Sequence, residues 1–209
     1  MIKDTEISKH IYKKILSIKS NLIRDWVNPI NTNTKHLVID NLLPDDLCMN
    51  IYTSFPKDFS SFHKRSSFRE KKKTSANMSL YDEIINNCLY AFQNRKVLNI
   101  ISEITSIAAL EADEKLYAGG ISAMTKGDYL NPHIDNSHDG ERSKYRRLNL
   151  LYYVSPDWSF DNGGNFELWN QARTTPKTII SHQNRLVVME TNKTSWHSVS
   201  KVNAERPRC

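Results

Sequence analysis

The chain has 209 residues, of which 39% are hydrophobic and 25% are charged, and its formal net charge is +6. This length suits one domain with a sizeable core, and the composition is that of an ordinary globular protein. The three cysteines (Cys48, Cys88 and Cys209) lie far apart with no CxxC pair, which argues against a disulfide framework or a zinc site. The mild positive charge permits an anionic ligand but does not call for nucleic acid.

The first residues of the chain are polar, and no apolar stretch follows that would form the core of a signal peptide. No run approaches the ~18 apolar residues that a membrane span needs. The sequence therefore predicts no membrane association. A reducing compartment, by default the cytoplasm, is the expected location.

The N-terminal part, residues 1–113, is predicted to be mainly helical. Apolar residues recur at helical spacing across residues 5–27, where a lysine-rich outer face is also present, and Asn28-Pro29 ends the pattern. The spaced residues are Ile7, Ile11, Ile15, Ile18, Leu22 and Trp26. The further elements predicted here are a strand at 36–40, a helix from Pro44 to about Phe55, and helices at 81–95 and 96–107.

Residues 56–79 show the least regular pattern of the chain. A basic run lies among serines and consists of Arg65, Arg69, Lys71, Lys72 and Lys73. Such a charge run usually marks a solvated loop, which is the prediction made for this segment. The functional alternative is a mobile lid or a patch that faces an acidic substrate.

Beyond Glu114 the pattern changes to short β-rich runs separated by glycine, proline, asparagine and aspartate. Residues 146–154 form the strongest predicted strand, and residues 116–124, 165–169, 178–180 and 185–190 form others. Gly163-Gly164 indicates a tight turn. Residues 114–209 are therefore expected to fold as a β-sandwich or jelly roll.

His133 and Asp135 are two residues apart, so in an extended chain both side chains leave the same face. A second histidine from a distant strand, His197, would complete a set of two histidines and one carboxylate. That set leaves three coordination positions open and suits non-haem Fe(II). Taken alone, a His-x-Asp pair is more often a hydrogen-bonded structural pair. The adjacent residues His138 and Asp139 resemble a second metal-binding pair, but they lie in a polar loop, where ligation is not expected.

The order of these features resembles the 2-oxoglutarate- and Fe(II)-dependent dioxygenases, in particular the prolyl-hydroxylase-like branch. The resemblance covers residues 115–209, with weaker support from residues 38–43. The motifs that carry it are His133-Ile134-Asp135, the strand ending in Leu-Leu-Tyr-Tyr-Val, Gly-Gly-Asn-Phe-Glu-Leu-Trp at 163–169, Arg-Leu-Val-Val-Met at 185–189, and Trp196-His197-Ser198-Val199 with arginines 9 and 11 residues after His197. The resemblance implies an α+β fold, with a double-stranded β-helix (jelly roll) core, N-terminal helices packed on it, and iron in its mouth.

The resemblance also implies the cofactors and their residues. His133, Asp135 and His197 match the iron ligands, while 2-oxoglutarate and O2 take the open positions, with ascorbate as an optional reductant. An arginine is needed to bind the far carboxylate of 2-oxoglutarate in bidentate fashion, and both Arg206 and Arg208 are available.

Two residues apart, these arginines would point the same way on a strand, so direction does not choose between them. Arg208 is preferred, because Pro207 indicates that regular pairing begins after it. Tyr153 matches the family's tyrosine that helps to hold the same carboxylate, and Asn149 shares its strand face. Trp158, Trp169 and Trp196 are expected to serve packing.

Two features depart from the family pattern. Relatives often place a tyrosine on the cosubstrate from the strand around Ala123 and Met124, and none is present there. In addition, the sequence stops at Cys209, just where the family has its last strand. Either the sequence is truncated, so that the core lacks its last strand, or another segment closes the sheet.

The function implied by the resemblance is hydroxylation of an unactivated C–H bond, by analogy on a prolyl or other peptide side chain. An oxygenase acting on a free amino acid or a carbohydrate intermediate is the alternative substrate class. Two other classes of protein also remain open: a jelly-roll binding module without turnover, and a zinc metallohydrolase that uses the same three residues. The expected partner is thus a peptide, a protein or a small molecule, and not nucleic acid.

Overall fold

The computed structural model describes residues 5–209. Five helices lie in the first half of this part of the chain: α1 (Glu6–Ser17), α2 (Lys19–Val27), α3 (Asp45–Ser54), α4 (Glu83–Ala91) and α5 (Arg95–Thr105). Ten strands are interspersed with and follow them: β1 (His36–Ile39), β2 (His63–Ser66), β3 (Glu70–Ser75), β4 (Ile121–Ala123), β5 (Tyr129–His133), β6 (Leu148–Tyr153), β7 (Phe166–Trp169), β8 (Pro176–Ile179), β9 (Arg185–Glu190) and β10 (His197–Val199). Two short 3-10 helices lie at Met78–Leu80 and Phe160–Asn162.

The single helix expected over residues 5–27 is divided in two. The backbone leaves the helical region at Ile18 (φ −118°), and α2 begins at Lys19. Near its end, the indole of Trp26 donates a buried hydrogen bond to the carbonyl of Thr105 at the end of α5 (3.1 Å). Five of the six apolar positions that predicted the helix are buried: Ile7, Ile11, Ile15, Leu22 and Trp26.

Two antiparallel sheets form the β half. The smaller has the strand order β1-β9-β6, and the larger has the order β2-β3-β5-β10-β7-β8, with β4 also paired to β3. Successive side chains of β6 leave opposite faces, so Leu148, Leu150 and Tyr152 pack on the helices. Leu151 and Tyr153 instead face a second core between the sheets, which also contains Leu130, Phe166, Leu168, Val187 and Met189. This arrangement is the predicted jelly roll with helices on one side.

The segment predicted to be a loop, residues 56–79, contains the hairpin of β2 and β3. The side chains of β2 are exposed, and those of β3 are polar and mostly half-buried, so no hydrophobic alternation indicates the strands. The hairpin exists because β3 pairs with β5 on one stretch and with β4 on the next. Lys73 adds a tertiary contact, since its ammonium donates to the buried carboxylate of Asp128 (2.8 Å). The loop prediction was therefore wrong.

The last residues of the sequence contact the ends of both sheets, next to β4 of the larger sheet and β6 of the smaller one. Arg208 pairs with Met124 by two backbone hydrogen bonds, and the carbonyl of Cys209 accepts from the N–H of Val154. The predicted single-domain organisation, with 1–113 and 114–209 as its parts, stays a prediction. Within residues 5–209, no helix combines the length and the apolar character needed to cross a bilayer.

Candidate metal centre and cosubstrate pocket

The structure brings His133, Asp135 and His197 together. Nε2 of His133 lies 3.5 Å from Oδ1 of Asp135, and Nε2 of His197 lies 3.7 Å from Oδ2. The two imidazole ring centres are 4.1 Å apart. One ligand atom from each residue lies within 4.8 Å of the others, and within residues 5–209 this is the one such cluster of His, Cys, Asp and Glu side chains.

A β-bulge turns His133 toward the interior. His133 pairs with His197 and Leu130 pairs with Val199, so a step of three positions along β5 matches a step of two positions along β10. Without the extra residue, His133 and Leu130 would leave opposite faces, because they are separated by an odd number of positions. Pro132 lies inside the bulge, where its missing N–H breaks no ladder bond. His-x-Asp at the end of β5 therefore reaches the core side that His197 also faces.

Both histidines present Nε2 to the centre. Nδ1 of His133 lies 2.9 Å from the carbonyl oxygen of Asn131, and Nδ1 of His197 lies 2.9 Å from that of Ser195. A carbonyl can only accept, so Nδ1 carries the proton and Nε2 keeps its lone pair. Burial and the neighbouring His133 lower the pKa of His197 to about 4. A neutral imidazole with a free Nε2 is the form that ligates a metal.

Asp135 is held by two side chains on Oδ2. Nη2 of Arg146 lies at 3.4 Å and Nδ2 of Asn149 at 3.3 Å. Burial acts to raise the pKa of Asp135, but its close contacts with the His133 and His197 rings and the charge of Arg146 outweigh it, so the pKa is well below its usual value. The carboxylate is therefore ionised.

Arg146 was not singled out in the sequence, because one arginine next to a strand in a polar, basic segment has no distinctive pattern. Asn149 had been grouped with the cosubstrate residues on the strength of its strand face. The structure instead places its amide on Asp135.

Arg208 and Tyr153 form a second, deeper part of the site. The guanidinium of Arg208 is 5.3 Å from the centre of the Tyr153 ring, and both side chains are buried. Nη1 of Arg208 donates to the carbonyl of Gly164 (2.6 Å). Gly164 has a φ of +62°, and a Cβ there would lie 3.0 Å from Cδ of Arg208. The absence of a side chain at Gly164 therefore leaves the space that the Arg208 side chain occupies.

Two buried polar atoms of this pocket lack partners. Within residues 5–209, neither Nε of Arg208 nor the hydroxyl of Tyr153 makes a hydrogen bond. Burial lowers the pKa of Arg208 and raises the pKa of Tyr153, which shows how far both groups are removed from water. A buried cation and a hydroxyl that lack partners are destabilising unless an anion meets them.

Arg206 lies elsewhere. Its Nη2 donates to the carbonyl of Asp157 (2.5 Å), and its guanidinium lies 5.6 Å from the ring of Trp158 on the partly exposed side. The expectation that Arg206 and Arg208 would point the same way was wrong, because the chain before Pro207 bends and is not a strand. Only Arg208 faces Tyr153, in agreement with the preference for it.

The remaining expected positions are structural in the part of the chain described here. The ring of His138 stacks on Tyr145, with centres 4.3 Å apart. Asp139 accepts hydrogen bonds from the backbone and hydroxyl of Ser143, so this pair organises its own loop. Trp158 is buried, and Trp169 donates to Ser198 (2.7 Å).

The donor set fits Fe(II) with 2-oxoglutarate. Two neutral imidazoles and one carboxylate in a cluster open to one side are the ligand types that non-haem Fe(II) takes with positions left over. The Arg208 guanidinium, whose Nε has no hydrogen-bond partner, and the Tyr153 hydroxyl, which also has none, fit a carboxylate buried beside them. His133, Asp135, His197, Arg208 and Tyr153 are therefore the residues proposed to hold the two groups.

Comparison with known proteins agrees with this chemistry. Residues 119–209 match the model of the 2OG-Fe(II) oxygenase superfamily. The prolyl 3-hydroxylase OGFOD1 of Mus musculus is 34% identical over 73 residues, which are 32% of this chain and 13% of that protein. The chain thus matches about an eighth of the length of this relative.

Two solved structures share the fold. A prolyl-4-hydroxylase of Pseudomonas putida superposes with a TM-score of 0.63 at 14% identity, covering 91% of this chain and 94% of that one. A prolyl hydroxylase of Trichoplax adhaerens, in complex with a peptide of the hypoxia inducible factor oxygen degradation domain, gives a TM-score of 0.53 at 20% identity, covering 92% and 88%. The predicted double-stranded β-helix core is confirmed. Residues 119–209 are thus similar to the 2OG-Fe(II) oxygenase superfamily, and the chain shares its fold with these two prolyl hydroxylase structures.

Proposed function

We propose that the chain is a 2-oxoglutarate- and Fe(II)-dependent oxygenase that hydroxylates an unactivated C–H bond of a peptide, with a prolyl side chain as the first candidate. The observation that carries the proposal is the presence of two complementary sites beside one buried core between the sheets: the His197 ring lies 5.7 Å from Phe166, which packs in the same buried cluster as Tyr153. The His133–Asp135–His197 cluster offers a metal site, and the Arg208–Tyr153 pair offers an anion site. The prolyl hydroxylase fold supports the choice of a peptide substrate.

When bound, Fe(II) and 2-oxoglutarate supply the oxidation: the cosubstrate loses CO2 to give succinate, and one oxygen atom of O2 enters the C–H bond. The residues of this chain supply geometry. Carbonyls of Asn131 and Ser195 fix the imidazoles, and Asn149 and Arg146 fix the carboxylate. Arg208 neutralises the far carboxylate of the cosubstrate, and the buried wall around Tyr153 excludes water. No acid–base pair of side chains is required.

The test is an anaerobic titration of the full chain with Fe(II) and 2-oxoglutarate. A weak visible charge-transfer band is expected when 2-oxoglutarate chelates the metal, which requires both the metal cluster and the Arg208–Tyr153 anion site. His133→Ala should abolish the band, and the matched control His138→Ala should keep it, since His138 lies in the adjacent loop and outside the cluster. Survival of the band in His133→Ala would refute the ligand assignment.

A second measurement addresses the substrate. Candidate peptides, free amino acids and carbohydrates are screened for succinate release coupled to a mass increase of about 16, the mass of one inserted oxygen. A prolyl peptide is expected to couple the two signals. A zinc hydrolase or a binding module would give neither the band nor succinate. Cytoplasmic location stays a prediction, supported by three free cysteines.

A further inference from the structure

Three loops surround the metal end of the site. β5 ends at His133 and β10 begins at His197, and these residues pair. Pairing of Leu168 with His197 brings the end of β7 to the same place, and the contact of Asn149 with Asp135 does so for the start of β6. The loops 134–147, 170–175 and 191–196 therefore emerge around the mouth of the cavity.

Each of these loops contributes at least one exposed cation without an acidic partner, and the loop 134–147 also carries the exposed Arg142. We call Arg147, Arg173 and Lys193 the cationic rim. Arg173 lies 4.9 Å from the ring of Trp196, the neighbour of His197. Arg147 extends the β6–β9 ladder through its carbonyl, which puts it on the strand face of Asn149. Across residues 5–209, no carboxylate forms an ion pair with any member of the rim.

The carboxylates of the same end are already engaged. Glu190 leaves β9 on the opposite face, where its pairing partner Leu148 packs on the helices. Asp135 belongs to the metal cluster and contacts Arg146. The other acids are bound within the loops: Glu111 to Lys144, Glu141 to Lys115, and Asp139 to the backbone N–H groups of Ser143 and Lys144.

We infer that the site receives an acidic segment of a protein, in which carboxylates flank the residue that is modified. This inference rests on the proposed function and names the substrate class of the same site. Rim cations attract such a segment during approach and orient it over the cavity, because potentials of opposite sign steer encounter and fix register. Phe68, 91% exposed at the tip of the β2–β3 hairpin, offers an apolar anchor beside β5.

The distribution of the cations over the surface favours a peptide over a nucleic acid as the ligand. Nucleic-acid surfaces carry a stripe of many cations that follows a phosphate backbone. Here three cations surround one cavity, and the basic residues of the hairpin are largely paired: Arg65 and Lys72 contact Glu70, and Lys73 contacts Asp128. The rim is thus a small group of cations and not a long stripe.

The test uses three fluorescent peptides with one common core around a single proline, flanked by glutamates, by glutamines or by lysines. Binding to the full chain, with Fe(II) and 2-oxoglutarate under argon, is followed by fluorescence anisotropy. The glutamate peptide should bind best, and the double variant Arg147→Glu, Arg173→Glu should weaken it by about tenfold. The matched control Lys9→Glu, Lys13→Glu makes the same charge change on the exposed face of α1 and should alter binding by less than about twofold.

Equal binding of the three peptides, or binding of none, would overturn the inference. So would a single-stranded DNA oligonucleotide that binds more tightly than the glutamate peptide and depends on the same two arginines. Failure of the proposed function has a different result: the glutamate peptide binds through the rim, but no succinate forms with any peptide.

Discussion

At the metal end of the site, His133, Asp135 and His197 are each held by neighbouring groups, whereas at the inner end Nε of Arg208 and the hydroxyl of Tyr153 meet no partner within residues 5–209. The metal end is therefore already oriented for its ligand by the fold. The inner end stores an unfavourable, desolvated charge that an anion would relieve. Changes at the first end should act through coordination, and changes at the second through affinity for the anion.

The largest effect is expected at the metal end. His133→Ala should lower Fe(II) affinity by more than about a hundredfold, since loss of groups that merely orient a ligand already has effects of up to about that size. Equilibrium dialysis against Fe(II) under argon measures it. His138→Ala, as control, should bind iron as the unchanged chain does, and an equal loss in both variants would mean that the loop and the cluster are not separate.

At the inner end, Arg208→Ala should raise the Kd for 2-oxoglutarate by about thirtyfold or more, the effect of removing one partner of a buried charge pair. Iron affinity without the cosubstrate should change little. The measurement is the charge-transfer band followed at increasing 2-oxoglutarate. Arg206→Ala is the control and should shift the Kd far less, because Arg206 contacts the Asp157 carbonyl on the outside. The opposite ranking would reverse the assignment.

In the metal-free chain, His197 at the metal end should make the folding stability depend on pH. His197 has a folded-state pKa of about 4, lowered by burial and by His133 from 6.5. As pH falls below 6.5, the unfolded chain takes up a proton that the folded chain refuses, so stability is lost between pH 6.5 and pH 4. This one group should remove about 2 kcal/mol at about pH 5.

Urea unfolding at neutral pH and near pH 5 measures this loss. His197→Gln should show a smaller decrease by that amount, while the contribution of His36, whose pKa is also lowered by burial, remains in both proteins. An unchanged pH dependence in His197→Gln would contradict the prediction.

Asn149 distinguishes the two ends directly. If its amide orients Asp135, Asn149→Leu should weaken Fe(II) binding by about tenfold and leave the Kd for 2-oxoglutarate nearly unchanged. Dialysis and the band titration give the two numbers on one preparation. A loss confined to 2-oxoglutarate would restore the role that its strand face first indicated.

The smallest effect is expected for Tyr153→Phe, which removes one hydroxyl from the anion site. The Kd for 2-oxoglutarate should rise by about threefold to fivefold, the loss of one ordinary hydrogen bond. In the metal-free chain, however, thermal stability should stay the same or rise, because the removed hydroxyl is buried without a partner in the described structure. A clear loss of stability would mean that the hydroxyl has a structural role.

Much of the site was predictable because its motifs are short and its chemistry is restrictive. His-x-Asp followed far along the chain by Trp-His-Ser-Val, with strand patterns between, identified the cluster and the jelly roll. Buried helices were also predictable, since Ile7, Ile11, Ile15, Leu22 and Trp26 follow the period of a helix. In each case the pattern lies within a short stretch of sequence, and only one face of the element carries the residues that must be buried.

The failures have a common cause in pairing between distant segments. The β2–β3 hairpin has polar, charged strands, so only β4 and β5 give it a reason to exist. Arg206 and Arg208 point in different directions because the chain bends before Pro207, whereas the prediction assumed a strand there. Arg146 reaches Asp135 by closure of a loop that no periodicity describes.

The sequence by itself determined which residues could ligate a metal and which strands alternate, because these follow from residue type and spacing, and the order of its motifs gave the resemblance of the C-terminal half to a superfamily. Only the tertiary structure decided that a bulge at Pro132 aims His133 inward, that Arg208 and not Arg206 lies beside Tyr153, and that three unpaired cations surround the mouth. Those outcomes depend on register and on loop closure, which are set by contacts between residues far apart in the chain.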